Sequence, residues 1–451
     1  MPCFATLAQL VDVLSAKKVN ISDISLDFLS TGIQTDTRLL QPGEVFLALR
    51  GEKFDGHQFV EMAIKKGAIA AIVDFEYQDT QFPVLQVENT LVAYQQLGRW
   101  WCNQFNIPVI GVTGSVGKTT TKELIAAVLG TAGRVHKTHA NFNNEIGVPK
   151  TLLELRDDHD FAVIEMAMRG KGQIAELTQI TRPNVGVITN VGTAHIELLG
   201  SEVAIAQAKC ELLAEMPPDG VAILNHDNPL LMEMAGKVWQ GEVITYGLSG
   251  GDIQGELIDH NNIKVGGMAL PLPLTGRHNA SNFLAALAVA KVFDISWSSL
   301  KSGVVVDMPS GRSQKIMLPN DVIILDETYN AAPEAMLAAL NLLAETPGTR
   351  RIAVLGAMKE LGERSHQLHQ LVGEMVKSLD LDALLVLVDG EDAETIVTSA
   401  AGIPSESFTN HADMVARLKG YIQEGDRLLF KAAHSVGLDR VVSQLQAEFS
   451  V

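Results

Sequence analysis

The sequence predicts an α/β protein with a small N-terminal α/β domain, a central phosphate-loop domain with a mostly parallel sheet, and a Rossmann-like C-terminal domain. Three observations support this. The 451 residues correspond to about three domains of ordinary size. A glycine-rich loop lies between a predicted strand and a predicted helix at 107–129. Strands and helices alternate after residue 312, as in a doubly wound sheet. We place the domains at 1–86, 87–311 and 312–451.

The N-terminal domain is predicted from three short segments. Residues 44–49 have the pattern of a strand, and residues 68–74 have the pattern of the next strand. Between them, residues 56–66 have the spacing of a helix, which Gly67 would end. The pattern therefore predicts a strand, a helix and a second strand.

The central domain begins with a phosphate-binding loop. Residues 111–120 read GVTGSVGKTT, which fits glycine, four residues, then Gly-Lys-Thr, and they stand between a strand and a helix. Glycines let backbone N–H groups close around phosphate oxygens, and the helix N-terminus adds partial positive charge. An ordinary turn with an exposed lysine is the alternative. The residues expected to bind the nucleotide here are Gly114, Ser115, Val116, Gly117, Lys118, Thr119 and Thr120.

The nucleotide is expected to be ATP. The chain shows no Asn-Lys-x-Asp motif of the kind that reads guanine. Within the loop, Lys118 can reach the terminal phosphates, and the Thr119 hydroxyl can bind Mg²⁺.

The remaining predicted elements follow the same α/β pattern. Continuous apolar runs of strand length are typical of parallel sheets covered on both faces. In the central domain these are strands 161–165 and 185–190, with an alanine-rich helix at 280–293. In the C-terminal domain we predict strands 322–325, 351–355, 383–388 and 427–430, with helices at 334–344, 366–379 and 412–422.

Composition excludes several classes of partner. The formal net charge is −18, which argues against binding to nucleic acid or to an anionic membrane surface. Three cysteines without paired spacing fit a reducing compartment and provide no zinc or disulfide framework. No apolar run is long enough for a membrane helix, and the N-terminus lacks the pattern of a signal peptide. We therefore expect a cytoplasmic protein.

Three polar residues of the central domain are candidates for catalysis. Glu165 ends a strand predicted beside the phosphate-loop strand, where a Mg²⁺ ligand belongs. His195 follows the next predicted strand and could bind metal through a neutral ring nitrogen. Lys209 has apolar neighbours on a predicted helix, although burial of an unpaired lysine is costly. The alternatives are a helix-capping glutamate, a structural histidine and a lysine that reaches solvent.

A second group of residues could hold a base and a ribose. Asn279 and Asn282 open the alanine-rich helix, and Asp326, Tyr329 and Asn330 follow a strand of the C-terminal domain. Helix capping by the two asparagines is the alternative.

Taken together, these motifs resemble the Mur ligase family of three-domain, ATP-dependent amide ligases of peptidoglycan precursor synthesis. The similar segments occur in the family's order along nearly the whole chain. They are 113–120, 163–165, 190–195, 208–211 and 276–282.

Within the family, the chain is similar to the members that add D-alanyl-D-alanine to a UDP-muramoyl tripeptide. Residues 326–333 read DETYNAAP and residues 355–363 read LGAMKELGE, both close to the motifs of those members. Residues 35–46 and 55–57 resemble their UDP-binding first domain. Three positions depart from the pattern, at Thr37, at Ala357 and in the segment 431–435.

The resemblance implies roles for the catalytic candidates. Lys118 would hold the β- and γ-phosphates, and Thr119 and Glu165 would hold one Mg²⁺ ion. His195 would hold a second Mg²⁺. Lys209 corresponds to a lysine that is carbamylated in the family, so that its anion helps to anchor that metal.

The resemblance also implies substrate contacts and a monomer. The adenosine contacts would come from Asn279, Asn282, Asp326, Tyr329 and Asn330, with Arg312 near the phosphates. The contacts to the UDP end would come from Thr37, Arg38, Asp55 and His57.

Two alternatives remain open. Another ligase of the family would add a single amino acid by the same mechanism. A scaffold or motor that couples ATP to movement is a different class, and it needs no set such as Glu165, His195 and Lys209. The third residue of the tripeptide, diaminopimelate or lysine, is not specified by the sequence.

Overall fold

The three-domain α/β fold predicted from the sequence is confirmed. A computed structural model describes residues 1–51, 54–79 and 81–449, and its strands form three mostly parallel sheets in chain order. No helix in these described ranges is long and apolar enough to cross a membrane.

The first sheet lies within residues 17–87 and has five strands in the order β1-β5-β4-β3-β2. Only β1 is antiparallel to its neighbour. The strands are β1 Lys17–Val19, β2 Ile33–Gln34, β3 Val45–Leu47, β4 Ala70–Asp74 and β5 Val84–Val87. The helices are α1 Leu7–Leu14 and α2 Val60–Lys65, with 3-10 turns at Ile24–Asp27 and Gly56–Phe59.

The second sheet has nine strands, in the order β14-β13-β12-β11-β10-β9-β6-β8-β7. The strands are β6 Val109–Thr113, β7 Val135–Lys137, β8 Phe161–Glu165, β9 Val185–Ile188, β10 Val221–Asn225, β11 Glu242–Gly247, β12 Ile253–Leu257, β13 Asn262–Val265 and β14 Met268–Pro271. The helices are α3 Thr90–Cys102, α4 Lys118–Leu129, α5 Gly147–Leu152, α6 Gln173–Thr181, α7 Ile196–Leu199, α8 Glu202–Glu215, α9 Pro229–Val238 and α10 Arg277–Val292, followed by a 3-10 turn at Trp297–Leu300.

The third sheet has six strands in the order β15-β16-β20-β17-β18-β19, and only β15 is antiparallel to its neighbour. The strands are β15 Gln314–Leu318, β16 Val322–Asp326, β17 Arg351–Gly356, β18 Ala383–Leu387, β19 Ser405–Phe408 and β20 Arg427–Lys431. The helices are α11 Pro333–Glu345, α12 Ser365–Ser378, α13 Glu391–Ser399, α14 His411–Tyr421 and α15 Leu438–Phe449, with 3-10 turns at Gly362–Arg364 and His434–Val436.

The strand order of the second sheet positions the functional site. Strand β6 lies between β8 and β9, so the chain direction across the sheet reverses at β6. Ligands of open α/β sheets bind at such a switch point, beyond the carboxyl ends of the strands. In this register Val112 of β6 is opposite Glu165 of β8, and Thr113 is opposite Ile188 of β9. The loops after these three strands therefore meet at one edge.

The alanine-rich helix α10 supports this edge from one face of the sheet. Residues 282–290 are all buried, against α4 and the strands β10 to β12. The small side chains of α10 let its backbone approach α4 closely. Helix α4 directly follows the phosphate loop. Packing in this region therefore fixes the direction of the loop.

The helix predicted at 56–66 differs in its first turn, which is a 3-10 turn before α2 begins. A Cβ on Gly56 would lie 2.7 Å from the Leu49 carbonyl oxygen, so the backbone is tightly packed there. The Asp55 carboxylate accepts from the His57 N–H at 3.0 Å, which favours the tighter turn. The strand predicted at 44–49 is also shorter, at Val45–Leu47.

Candidate active site

The phosphate loop depends on two glycines in conformations that other residues avoid. Gly114 has φ +148° and Gly117 has φ +80°. A Cβ on Gly114 would lie 1.9 Å from Oγ1 of Thr189, and a Cβ on Gly117 would lie 2.7 Å from Oδ1 of Asn282. The backbone therefore reaches its neighbours only because these side chains are absent.

Asn190, which follows β9, holds the middle of this loop. Its carbonyl accepts from the Ser115 N–H, and its Oδ1 accepts from the Val116 N–H, both at 3.0 Å. Its Nδ2 donates to the Val116 carbonyl at 3.1 Å. This role of Asn190 was not predicted from the sequence, although its place after a strand at the same edge was a usable signal.

The N-terminus of α4 is open toward the loop. The Thr121 N–H makes the first helical hydrogen bond, to the Gly117 carbonyl at 2.8 Å, and no side chain caps the helix. The amides of residues 118–120 are thus free of intrahelical partners, as expected for a phosphate cradle. Nζ of Lys118 folds back onto the carbonyls of Gly114 and Ser115, at 2.8 and 3.1 Å.

The electrostatics around Lys118 favour an incoming anion. Burial lowers the pKa of Lys118 to about 8; Glu165 opposes this shift and the Arg312 cation adds to it. Arg312 belongs to the third domain, so two domains contribute positive charge to one place. Phosphate groups would stabilise both cations.

Glu165 is the last residue of β8 and is 1% exposed. Its Oε1 accepts from Nδ2 of Asn143 at 2.8 Å, whereas its Oε2 is buried without a hydrogen-bond partner. The nearest cation is Nζ of Lys122, at 3.9 Å from Oε2. Because Glu165 caps no helix and is not at the surface, that alternative reading of the sequence is wrong.

Lys122 has its own partners and does not depend on Glu165. Its Nζ donates to the Thr138 carbonyl at 2.7 Å and lies 2.8 Å from Oε1 of Glu123. Neither Lys122 nor Asn143 was assigned from the sequence. Lys122 comes one helical turn after Lys118, and that spacing was the available signal.

His195 lies on the loop between β9 and α7 with φ +66°. Its Nδ1 is 2.5 Å from Oε2 of Glu360, a residue of the third domain. Burial lowers the pKa of His195, the Lys118 and Lys209 cations add to this shift, and Glu360 opposes it. A carboxylate only accepts hydrogen bonds, so Nδ1 carries the ring proton and Nε2 keeps its lone pair.

Lys209 lies in α8 and is 1% exposed, so its side chain does not reach solvent as the alternative required. Burial lowers the pKa of Lys209 well below its ordinary value, and the Lys118 cation adds to this shift. Glu211 is nearby, but its carboxylate accepts from the backbone N–H groups of Gly172 and Ala175. Burial therefore favours the uncharged form of the Lys209 amine.

These residues fit Mg²⁺ bound together with a nucleotide. In the described part of the chain, no group of three or more His, Cys, Asp and Glu residues forms a metal cage. Mg²⁺ in nucleotide sites needs only one or two carboxylates, since phosphates and water supply the other ligands. The buried Oε2 of Glu165 has no hydrogen-bond partner, so it fits the requirement for a carboxylate oxygen of this kind.

Asn279 and Asn282 lie in the first turns of α10, beside the phosphate loop. Asn279 Nδ2 donates to the Thr275 carbonyl at 2.8 Å, and Asn282 Oδ1 accepts from Oγ1 of Thr121 at 3.2 Å. Neither caps the helix, because Gly276 precedes α10 without a side-chain cap. The capping alternative is therefore wrong, and Asn282 braces the loop at Gly117.

The third domain contributes an aromatic and cationic group. The Arg312 guanidinium carbon lies 3.7 Å from the centre of the Tyr329 ring, and the His434 ring stacks with Tyr329 at 5.5 Å. His434 belongs to the segment that departs from the family pattern. Nζ of Lys431 donates to the Asn330 carbonyl at 2.9 Å.

Asp326 is buried at the end of β16. Its Oδ1 accepts from the Thr328 N–H and hydroxyl, at 3.1 and 2.6 Å. Burial raises the pKa of Asp326, and the Thr328 bonds oppose this shift. Both Thr328 contacts are to Oδ1, so neither of them occupies Oδ2 of this carboxylate.

In the first domain, His57 is held inside the protein. Its Nδ1 is 2.6 Å from Oδ1 of Asp55, and its Nε2 accepts from the Asp74 N–H at 3.1 Å. Thr37 is buried, whereas the Arg38 side chain is 87% exposed and its guanidinium donates to both carboxylate oxygens of Asp36. Both ring nitrogens of His57 are thus engaged, so it would act on a ligand through Asp55.

The fold and this site define a three-domain, phosphate-loop protein of the Mur ligase class. Three family models match: Mur ligase family, catalytic domain, at 30–99; Mur ligase middle domain, at 112–290; and Mur ligase, glutamate ligase domain, at 311–434. The chain belongs to the Mur ligase family.

Its relatives include two named UDP-N-acetylmuramoyl-tripeptide–D-alanyl-D-alanine ligase. One, from Synechocystis sp., is 57% identical over 95% of each chain. The other, from Escherichia coli, is 36% identical over 98% of each chain. MurF from Acinetobacter baumannii is a similar solved structure, with a TM-score of 0.90 and 30% identity over 99% of this chain and 100% of that one. A second is MurF ligase from Thermotoga maritima in complex with ADP, with a TM-score of 0.84 and 30% identity over 93% of this chain and 98% of that one.

Proposed function

We propose that this protein is an ATP-dependent ligase that joins D-alanyl-D-alanine to UDP-N-acetylmuramoyl-tripeptide in peptidoglycan synthesis. The observation that carries the chemistry is the meeting of the open phosphate loop, the unpartnered Glu165 oxygen and the buried Lys209 amine near one sheet edge. The substrates are inferred from the names of relatives that this chain matches over 95% or more of each chain.

The reaction requires that a carboxylate attack a polyanion. ATP transfers its γ-phosphoryl group to the terminal carboxylate of the tripeptide, giving an acyl phosphate and ADP. The amine of the dipeptide then attacks the acyl carbon, an amide bond forms, and inorganic phosphate leaves. Lys118 and the amides of residues 118–120 would hold the phosphates in line and reduce charge repulsion.

Mg²⁺, when bound, neutralises phosphate charge as the phosphoryl group moves. Thr119 and Glu165 would hold one ion, and His195 would hold a second. The lone pair of the Lys209 amine can attack CO₂, giving a carbamate and releasing a proton. That anion would anchor the second ion, and its formation is supported by the lowered pKa of Lys209, because only an uncharged amine is a nucleophile.

The nucleoside end of ATP would lie between the second and third domains. Asn279, Asn282, Asp326, Tyr329 and Asn330 would bind adenosine, and Arg312 would face the phosphates. Arg312 helps to lower the pKa of Lys118, so this residue of the third domain lies near the phosphate loop, which supports the placement. Closure of that domain would exclude water from the acyl phosphate.

The two other substrates would occupy opposite sides of this centre. Thr37, Arg38, Asp55 and His57 would form the UDP end of the site. Residues 329–333 and 356–363 would lie near the incoming dipeptide. The carboxylate of a single amino acid lies about 3.5 Å nearer its reacting amine than that of a dipeptide, so a dipeptide pocket discriminates by reach.

We further propose a cytoplasmic monomer with domains 1–86, 87–311 and 312–451. The buried free thiols of Cys3, Cys102 and Cys210 are consistent with a reducing compartment. The third residue of the tripeptide is left open between diaminopimelate and lysine, and the substrate assay below distinguishes them.

The test is incubation with each UDP-muramoyl tripeptide, ATP and either D-alanyl-D-alanine or D-alanine, followed by mass spectrometry. We expect the pentapeptide product and one ADP per product. Efficient addition of a single amino acid without dipeptide incorporation would move the chain to another ligase of the family. ATP hydrolysis that needs neither peptide substrate would favour a motor or scaffold.

A further inference from the structure

Two carboxylates of the third domain hold the loop that carries His195. Oε2 of Glu360 lies 2.5 Å from Nδ1 of His195. Oε1 of Glu334 accepts from the N–H and the hydroxyl of Thr193, at 2.6 and 2.9 Å. The loop between β9 and α7 is thus held at two points by another domain.

The same loop is connected to the phosphate site. Asn190 binds the backbone of Ser115 and Val116, and Thr193 and His195 follow it within five residues. One short segment, residues 190–195, therefore contacts the phosphate loop through Asn190 and the third domain through Thr193 and His195.

The backbone at the contact is specialised on both sides. Glu360 has φ +61° and His195 has φ +66°, a region that residues other than glycine rarely adopt. The Glu360 carbonyl accepts from the Glu197 N–H at 3.4 Å. Behind Glu360, the Met358 N–H donates to Nε2 of the buried His369 at 2.9 Å, which fixes the loop on α12. Such conformations persist where the surroundings determine them, and they concentrate at functional sites.

A carboxylate on one histidine nitrogen controls the chemistry of the other. Nδ1–H of His195 donates to Glu360, so the ring is held in one tautomer and one orientation with the Nε2 lone pair available. Carboxylate partners of this kind raise ligand affinity for a metal, and their loss typically weakens it by about 10–100-fold.

We infer that Glu360 is a positioning residue that the third domain delivers to His195, so that docking of this domain completes the second metal position. Glu334 holds the same loop through Thr193 and keeps it in register for that contact. The inference rests on the proposed function, because it uses the assignment of His195 to a Mg²⁺ ion.

The test uses Mn²⁺ as the probe, with a non-hydrolysable ATP analogue and the full chain. Free Mn²⁺ is measured by electron paramagnetic resonance for the wild type and for Glu360→Ala, Glu360→Gln and Glu202→Gln. Glu202 is the matched control, because it pairs with Arg364 of the third domain at 3.2 Å without touching His195. Nitrogen-15 spectra of the histidine rings report the tautomer, with the His195 signals assigned by their absence in His195→Gln.

We expect Glu360→Ala to weaken Mn²⁺ binding about 10-fold and to mix the His195 tautomers. Glu360→Gln should lose less, because its amide oxygen still accepts the Nδ1 proton, and Glu202→Gln should stay near wild type. Unchanged Mn²⁺ affinity in a folded Glu360→Ala protein, or an equal loss in Glu202→Gln, would overturn the inference.

The proposed function fails separately from this inference. The Mn²⁺ titration contains neither peptide substrate, so its result does not depend on product formation. A wild type that makes the pentapeptide, combined with Mn²⁺ affinities that ignore Glu360, refutes the positioning role alone. A wild type that makes no pentapeptide, combined with a Glu360-dependent affinity, refutes the substrate assignment alone.

Discussion

Glu165→Gln separates the structural role of this side chain from its role as a metal ligand. The substitution keeps size and shape but removes the negative charge. The amide oxygen of glutamine can still accept from Asn143, and Lys122 keeps the Thr138 carbonyl and Glu123. In the wild type without metal, Oε2 is buried without a hydrogen-bond partner, and burying a charged group in this way costs more than burying a neutral amide. We therefore expect the metal-free variant to be at least as stable as the wild type.

When Mg²⁺ and a nucleotide analogue are added, the wild type is expected to become more stable than the variant. At a Mg²⁺ concentration of about 100 Kd, binding to the folded state stabilises the wild type by about 2.7 kcal/mol. If the variant binds about 100-fold more weakly, the same concentration stabilises it by only about 0.4 kcal/mol. At about 2–4 °C per kcal/mol for a domain of this size, the wild type gains about 5–11 °C in Tm and the variant about 1 °C.

Thermal unfolding with the ATP analogue, with and without Mg²⁺, measures both quantities. Glu242→Gln is the matched control, because Glu242 is exposed at the amino end of β11, away from the site. The control should gain as much as the wild type. An equal Mg²⁺-dependent gain in Glu165→Gln would refute the assignment of Glu165 as a metal ligand.

Three further predictions concern the same edge. Gly114→Ala should lose about 1–3 kcal/mol of stability and raise the KM for ATP, because the new Cβ would meet Thr189. The control is Gly236→Ala in α9, where the new Cβ meets open space. In the same denaturation series this control should gain about 0.5–1 kcal/mol. Lys209→Met should abolish turnover yet raise Tm at neutral pH. Since the folded lysine has a lowered pKa, the folded state binds fewer protons than the unfolded state below the ordinary lysine pKa. Wild-type stability therefore rises as the pH approaches about 10, and the gap to Lys209→Met narrows; a gap that widens refutes this. Lys118→Ala should keep the wild-type circular dichroism spectrum and lose at least about 10²-fold in kcat, measured as phosphate release.

Local patterns sufficed for much of the fold. The strand at Phe161–Glu165 has the predicted bounds, and the buried helix α10 differs from its prediction by only a few residues, because apolar runs and alanine-rich faces are local signals. The prediction of an α-helical first turn at 56–59 was wrong. The close packing of Gly56 on Leu49 is a tertiary contact, which the local sequence pattern does not contain.

The candidate site was predictable where one segment holds the chemistry. The phosphate loop and Glu165 stand directly after strands, so a sheet edge could be inferred from them. The partner of His195 could not be inferred, because Glu360 is 165 residues away in the chain and meets His195 only through the packing of two domains. Asn190 was missed for a related reason, since its side chain serves the backbone of another loop.

The most direct test of the central claim follows oxygen-18 in the reaction. The terminal carboxylate of the UDP-muramoyl tripeptide is labelled, and the wild type turns over with ATP and D-alanyl-D-alanine. If ATP activates this carboxylate as an acyl phosphate, one labelled oxygen appears in inorganic phosphate for each pentapeptide formed. Pentapeptide formation with unlabelled phosphate would contradict the account.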